Sequence, residues 1–395
     1  MIGIDQLSGE HIPTLREVVE ESGTRRVDVV AWRDLDDPEA GGSELHAHQV
    51  LSRWAAAGVD VRLWTSRVDG AAREVERGGY RAIRRAGRYA VFPVTALDAL
   101  RGRLGSGDGV VEIWNGMPFF SPLWTRRPRI VFLHHVHAEM WHMVLPERLA
   151  RIGSAIELRL APPLYRRARI VTLSESSKRD IVQRLGFHPD RVSVAPPGIE
   201  PRFSPGGPKA ADPLVVTVGR LVPVKRFDWF IDAMAKLRAD HPTLEAVVVG
   251  EGYERPALEA RVRAAGASEW LRLPGRLSDP ELLDLYRRAW LLVATSSHEG
   301  WGMTITEAAA CGTPAVATRI PGHEDAVVEG VSGRLVDTME DVVSAASALL
   351  ADDDLRFRLS AGAIETARRH SWETTALLAF RALAEQRAAM AGRRG

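Results

Sequence analysis

Cysteine is almost absent: Cys311 stands alone in 395 residues, so no internal disulfide is available and no thiolate cluster can gather a metal around it. Lysine is nearly as scarce, with four residues among 52 basic ones, a bias of genome composition that carries no binding message. Charge of one sign is missing too. The 52 Lys+Arg face 51 Asp+Glu for a formal net charge of +1, which removes the whole-molecule field of a nucleic-acid binder. Long hydrophobic runs do not occur: nothing reaches the ~18 apolar residues of a spanning helix. Met1 to Thr24 also lacks the apolar stretch of a signal peptide. The expectation is a cytoplasmic protein without a membrane span.

What is present is ordinary enzyme composition, 45% hydrophobic and 26% charged, in a chain longer than one core usually organises. Two domains are expected. After a polar leader over 1–24, short β-rich runs alternate with helical patterns, which is the mark of βαβ units around a parallel sheet. Strands are expected at 27–32, 59–65, 110–114, 130–134, 170–174 and 192–195. Six prolines between Pro196 and Pro213, with the Gly206-Gly207 pair, then break the pattern and mark a linker. The alternation restarts with strands at 214–218, 244–250, 271–274 and 290–294. The expected fold is α/β, two Rossmann-like doubly wound domains (25–205 and 206–371) facing across a deep cleft, followed by a final helix over 372–395. Ligands of such sheets bind in the crevice at the carboxyl ends of the strands.

The most informative stretch runs from His298 through Glu299, Gly300, Trp301, Gly302, Met303, Thr304 and Glu307 to Gly312. Gly300 and Gly302 permit a sharp turn after a buried strand, and a helix is expected from Met303 or Thr304 to just before Gly312. Free N–H groups at that helix start, with the helix dipole, suit a diphosphate. Glu299 and Glu307 can accept from neutral hydroxyls beside it. A second strand end, Val218-Gly219-Arg220, leads to Lys225, and these two cations can neutralise a diphosphate from the other side. Cations at a helix start oppose the dipole, so an anion between them is expected.

In the first half, Gly41-Gly42 opens a helix and lets backbone approach a ligand. His134, His135 and His137 follow a strand; adjacent strand residues point oppositely, which argues against a metal site and for a hydrogen-bonding histidine, either His134 or His135. The stretch Tyr80 to Tyr89 is basic with interleaved aromatics. It is read as a solvated loop, with a peripheral contact to anionic lipid at the inner face of the plasma membrane as the other reading.

With these residues assembled, the sequence resembles glycosyltransferase family 4, whose members have the GT-B fold, from about Val27 to Trp372. Glu299 to Glu307 is similar to the family's Glu-x7-Glu segment, with Trp301 where Phe is commoner; Gly219-Arg220 and Lys225 match its phosphate pair, and Val249-Gly250-Glu251-Gly252 the following turn. In Ala195-Pro-Pro-Gly198-Ile-Glu200, Pro197 replaces the usual Asn, and no side-chain role is transferred there. The resemblance implies that Glu299 binds a sugar hydroxyl, that Gly300, Trp301, Gly302, Met303 and Thr304 offer backbone donors, and that Glu307 binds ribose. It implies that Arg220 and Lys225 hold the diphosphate, that Gly42 closes on it, that Leu277 lines the base pocket and that His134 contacts the donor sugar.

It implies further that the last helix returns to the first domain. The reaction implied is retaining transfer of a sugar from a UDP- or GDP-sugar to an acceptor hydroxyl, with no metal and no cofactor beyond the nucleotide-sugar co-substrate. The acceptor and the oligomeric state carry no signal. A nucleotide-sugar epimerase or a phosphorylase on a similar fold is the competing reading. A dinucleotide oxidoreductase would want a Gly-x-Gly-x-x-Gly loop that the Gly41-Gly42 region lacks.

Overall fold

The computed structural model describes residues 13–138 and 140–392. Among them, the first half of the chain forms β1 (Arg26–Val30), β2 (Asp60–Ser66), β3 (Glu74–Arg77), β4 (Tyr80–Ala86), β5 (Gly109–Ile113), β6 (Arg129–Phe132), β7 (Arg169–Thr172) and β8 (Val192–Val194). They make one sheet in the order β3-β4-β2-β1-β5-β6-β7-β8. Valine and isoleucine dominate β1, β5, β6 and β7, and nearly every one of their residues is buried, as expected of parallel strands covered on both faces.

The edge of this sheet corrects the reading of Tyr80 to Tyr89. That stretch is not a loop: β4 pairs in parallel with β2 and antiparallel with β3 across a Gly78-Gly79 turn in which both glycines have positive φ. Arg84 is buried and donates to Asp34 (2.8 Å) and Asp36, Arg85 pairs with Asp98 (2.9 Å), and Arg88 pairs with Glu39. Arg84 and Arg88 hold the loop after β1, and Arg85 ties the strand to the helix Val91–Leu100. The segment read as a leader is corrected in part as well. Residues 1–12 lie outside the described residues, but Leu15–Ser22 is a helix capped by Thr14 and Gly23, and its Val18 and Val19 belong to the first core.

The second half forms β9 (Leu214–Val218), β10 (Glu245–Val249), β11 (Leu271–Gly275), β12 (Leu291–Ala294), β13 (Ala315–Thr318) and β14 (Gly333–Val336). All pair in parallel, in the order β11-β10-β9-β12-β13-β14. The chain crosses between the sheets twice at one point. A Cβ on Gly198 would lie 2.0 Å from the amide nitrogen of Trp372, so only glycine lets the outgoing and returning strands of chain touch. The returning helix, Trp372–Ala391, buries Ala376, Ala379, Phe380 and Leu383 in the first core, and Trp54 donates to the carbonyl of Ala376 (2.9 Å).

Candidate active site

Strand order in the second sheet reverses between β9 and β12, the place where open α/β sheets leave a crevice. β9 delivers Gly219, Arg220 and a short 3-10 turn, Pro223–Lys225; β12 delivers Thr295 to Glu299 and then the helix Met303–Ala310. The two loops are stitched together. Thr295 Oγ1 donates to the carbonyls of Lys225 (3.0 Å) and Arg226 (2.8 Å), and the Ser297 amide donates to Val224 (2.8 Å).

This stitching sets the Lys225 ammonium against the Glu299 carboxylate, which also accepts from Ser296 Oγ (2.9 Å). Burial alone would raise the Glu299 pKa. The Lys225 charge, with His323 and the hydrogen bonds, wins and holds it down at about 2. His323 itself is buried with Nδ1 on the Thr318 carbonyl (3.0 Å), and burial pushes its pKa to about 4, so it is neutral near pH 7. A small cavity beside these groups is lined by Lys225, Glu299, Gly302, Thr304 and His323.

The turn from Glu299 into the helix has the expected glycine chemistry. Gly302 sits at φ +116°, and a Cβ on Gly300 would come within 2.8 Å of the His134 carbonyl oxygen across the cleft. The helix begins at Met303 with no side chain capping it, which leaves its first N–H groups to a ligand. Trp301 turns away: it is buried, 5.1 Å from the His370 ring near the crossover, so only its backbone can face a donor. Gly219 is held in place by Val249-Gly250-Glu251-Gly252, because a Cβ on Gly250 would sit 1.9 Å from the Gly219 carbonyl oxygen.

Glu307 lies farther along the helix that starts at Met303. Glu307 is half-buried and accepts from Tyr286 Oη (3.2 Å); burial raises its pKa, only partly opposed by that hydrogen bond, to about 7. Leu277 packs at the edge of the core that contains Tyr286. From the facing wall, Gly41 and Gly42 meet this array directly: a Cβ on Gly41 would be 3.3 Å from Arg220 Nε, and one on Gly42 3.3 Å from Met303 Sδ. Arg276 also reaches over to the Pro38 carbonyl (2.6 Å). Arg220 is exposed while Lys225 is engaged with Glu299, so the two cations expected to act alike stand in different electrostatic positions.

The histidines separate in the same way. His134 turns into the first domain, 4.8 Å ring to ring from His46, and burial drops its pKa far below the ordinary value. His135 lies in the electrostatic reach of Glu299 and stacks on His137 at 4.5 Å; burial, helped by His137, lowers its pKa to about 3. The two rings therefore part: His134 meets His46 in the first domain, and His135 stacks on His137 in the loop that Glu157 holds.

Sequence reasoning missed what holds this loop. Glu157, fully buried on a wider π turn (Ile156–Leu160), accepts from the amides of His137 (2.8 Å) and Ala138 (2.8 Å) and from the Trp141 indole (2.9 Å). The signal was an acid in the otherwise apolar row Ala150, Gly153, Glu157, Ala161, Tyr165.

Comparison with solved structures places this architecture. Sucrose-phosphate synthase from Thermosynechococcus elongatus superposes with a TM-score of 0.77 over 90% of this chain and 98% of that one, at 21% identity. WaaG, a glycosyltransferase involved in lipopolysaccharide biosynthesis, gives 0.71 over 90% and 98%, at 19% identity. The fold is that of GT-B glycosyltransferases. Residues 40–203 match the family described as Glycosyltransferase Family 4, and residues 200–366 the one described as Glycosyl transferases group 1. A D-inositol 3-phosphate glycosyltransferase of Thermobispora bispora is 30% identical over 390 residues, covering 87% of this chain and 90% of its own, and one from Geodermatophilus obscurus is 30% identical over 91% and 89%. The chain belongs to glycosyltransferase family 4.

Proposed function

We propose that the protein is a retaining glycosyltransferase that moves a sugar from a UDP- or GDP-sugar to an acceptor hydroxyl without a metal. The observation that carries this is the Lys225–Glu299 pair beside the uncapped start of the Met303–Ala310 helix, at the switch point of the second sheet. In this reading an arriving diphosphate draws on three positive elements: Arg220, the helix N-terminus and Lys225, the last shifting from its internal partner toward the phosphates. Glu299 is then left to accept from sugar hydroxyls. As the bond from the anomeric carbon to the phosphate oxygen breaks, these elements stabilise the leaving diphosphate, which is electrostatic catalysis. The acceptor oxygen bonds to the same face of that carbon, and its proton passes to the departing phosphate. His135, which burial keeps neutral, is the histidine that meets the donor sugar, and Glu307 with Leu277 takes ribose and base.

A HepE structure solved with UDP-glucose shares the fold (TM-score 0.71, 18% identity), and the curated relatives are named for D-inositol 3-phosphate; UDP-glucose and that acceptor are the first pair to assay. The decisive experiment is transfer measured with a panel of UDP- and GDP-sugars in the presence and absence of EDTA, with the product anomer read by NMR. An inverted product or loss of activity in EDTA overturns the proposal, and donor turnover without any acceptor favours the epimerase or phosphorylase reading.

A further inference from the structure

Residues Glu147–Tyr165 form a nearly continuous helical rod: Glu147–Ala155, the π turn Ile156–Leu160 and Pro162–Tyr165. At a rise of ~1.5 Å per residue it is about 28 Å long. Its inner row is buried and includes Glu157, which ties it to the His135 loop. Its outer row is apolar in the wrong direction for a water-facing helix. Leu149, Ile152, Leu160 and Leu164 are 53%, 56%, 61% and 40% exposed, at spacings that return to the same face, with Met143 (41%) just before them. Single exposed leucines are ordinary on a protein surface; a row of them along one helix marks a contact.

The charges around that row are mostly positive. Between Met140 and Arg167, Arg148, Arg151, Arg159, Arg166 and Arg167 are exposed, against one exposed acid, Glu147, which pairs with Arg151 (2.7 Å). Among the described residues, Arg148, Arg159, Arg166 and Arg167 form no ion pair. In a chain whose formal net charge is +1 this is a local concentration. A second copy of the chain would set arginines against arginines, which like-charge repulsion disfavours. A surface that is both anionic and apolar suits both features at once: arginine stems lie along the apolar row while their heads stay in water among anionic groups.

We infer that the outer face of the Glu147–Tyr165 rod is a peripheral docking surface for an anionic lipid membrane, with the aliphatic row entering the boundary between headgroups and acyl chains. Docking there sets the cleft next to the membrane, because the inner face of the same rod holds the loop that carries His135. No helix among the described residues is long and apolar enough to cross a membrane, so the contact is interfacial. The inference rests on this rod alone and does not depend on the donor or on the stereochemistry of transfer.

Co-sedimentation of the full chain with vesicles of pure phosphatidylcholine and with vesicles containing 30% phosphatidylglycerol tests it. Binding is expected to the anionic vesicles, with about a tenfold weaker partition to the neutral ones and a fall as salt rises. The double variant Leu149→Gln/Leu160→Gln should lower binding about tenfold, and so should Arg148→Gln/Arg159→Gln. Both pairs are exposed, so an unchanged circular dichroism spectrum and melting temperature show that the fold survived. Failure of the wild-type chain to bind anionic vesicles overturns the inference, as does equal binding by the variants. A dimer in light scattering that the leucine variant dissociates would give the face to a second copy and overturn it too.

Discussion

At the scale of single residues, the site is defined by how two glutamates are treated differently by their surroundings. Glu299 has a cation against it and a pKa of about 2; Glu307 has a phenol and more distant acids, and a pKa of about 7. Replacing Glu299 by Gln keeps the shape but leaves Lys225 without its counter-charge and weakens the acceptor for a sugar hydroxyl. Transfer should fall about 10²- to 10³-fold in kcat/KM, while the melting temperature of the free protein drops by only a few degrees. Retention of full turnover would remove Glu299 from the chemistry. For Glu307 the prediction is one of stability against pH. Its folded pKa lies above the ordinary 4.5, so it favours the folded state while protonated, and that contribution is lost as pH rises from about 4.5 through about 7. Glu307→Gln should flatten this decline in a melting series from pH 5 to 8; a series identical to wild type would show that Glu307 titrates normally.

At the scale of elements, the fourteen strands among the described residues show where sequence is legible and where it is not. β9 was expected at 214–218 and is found there, because a run of aliphatic residues bounded by Pro213 and Gly219 has one solution. The Met303–Ala310 helix was readable for the same reason: glycines bound it at both ends. The β3–β4 hairpin was not read, since charge along Tyr80 to Arg88 masked the alternation that places Tyr80, Ala82 and Arg84 inward; Gly78-Gly79 was the turn signal. Side-chain direction was illegible for His134 and His135, because it depends on where the strand ends, and β6 stops two residues early at Phe132. Glu157 stands out in its apolar row, but the π turn that aims it at the His137 and Ala138 amides is announced by no spacing rule. Its substitution by Gln is informative. An amide group turned toward either backbone donor would confront N–H with N–H, so the His135 loop should lose its setting. Turnover is expected to fall about tenfold with nucleotide affinity unchanged. Equal losses in both would mean general destabilisation.

At the scale of the molecule, the facing walls touch, and polar contacts tie them across the crevice. Asp325 in the second domain accepts from the Glu175 and Ser176 amides (3.1 and 3.2 Å) at the start of the Glu175–Leu185 helix, Ser176 Oγ accepts from Gly322 (2.8 Å), and Arg276 reaches Pro38. The proposed donor, flanked by Gly41, Arg220 and Met303, has to enter before these walls meet. The chain therefore needs an open state, and the single crossover at Gly198 and Trp372 is the natural hinge, since both connections pass through it and neither sheet has to deform. Asp325 stabilises the closed arrangement by capping a helix in the other domain. Asp325→Ala should thus shift the population toward the open state. The radius of gyration from small-angle scattering should rise in the free protein and return toward the wild-type value on adding nucleotide, while the donor KM increases about fivefold, since only the closed fraction binds fully. An unchanged radius with an unchanged KM would mean that closure is held elsewhere; a lower kcat at constant KM would instead assign Asp325 to the chemistry.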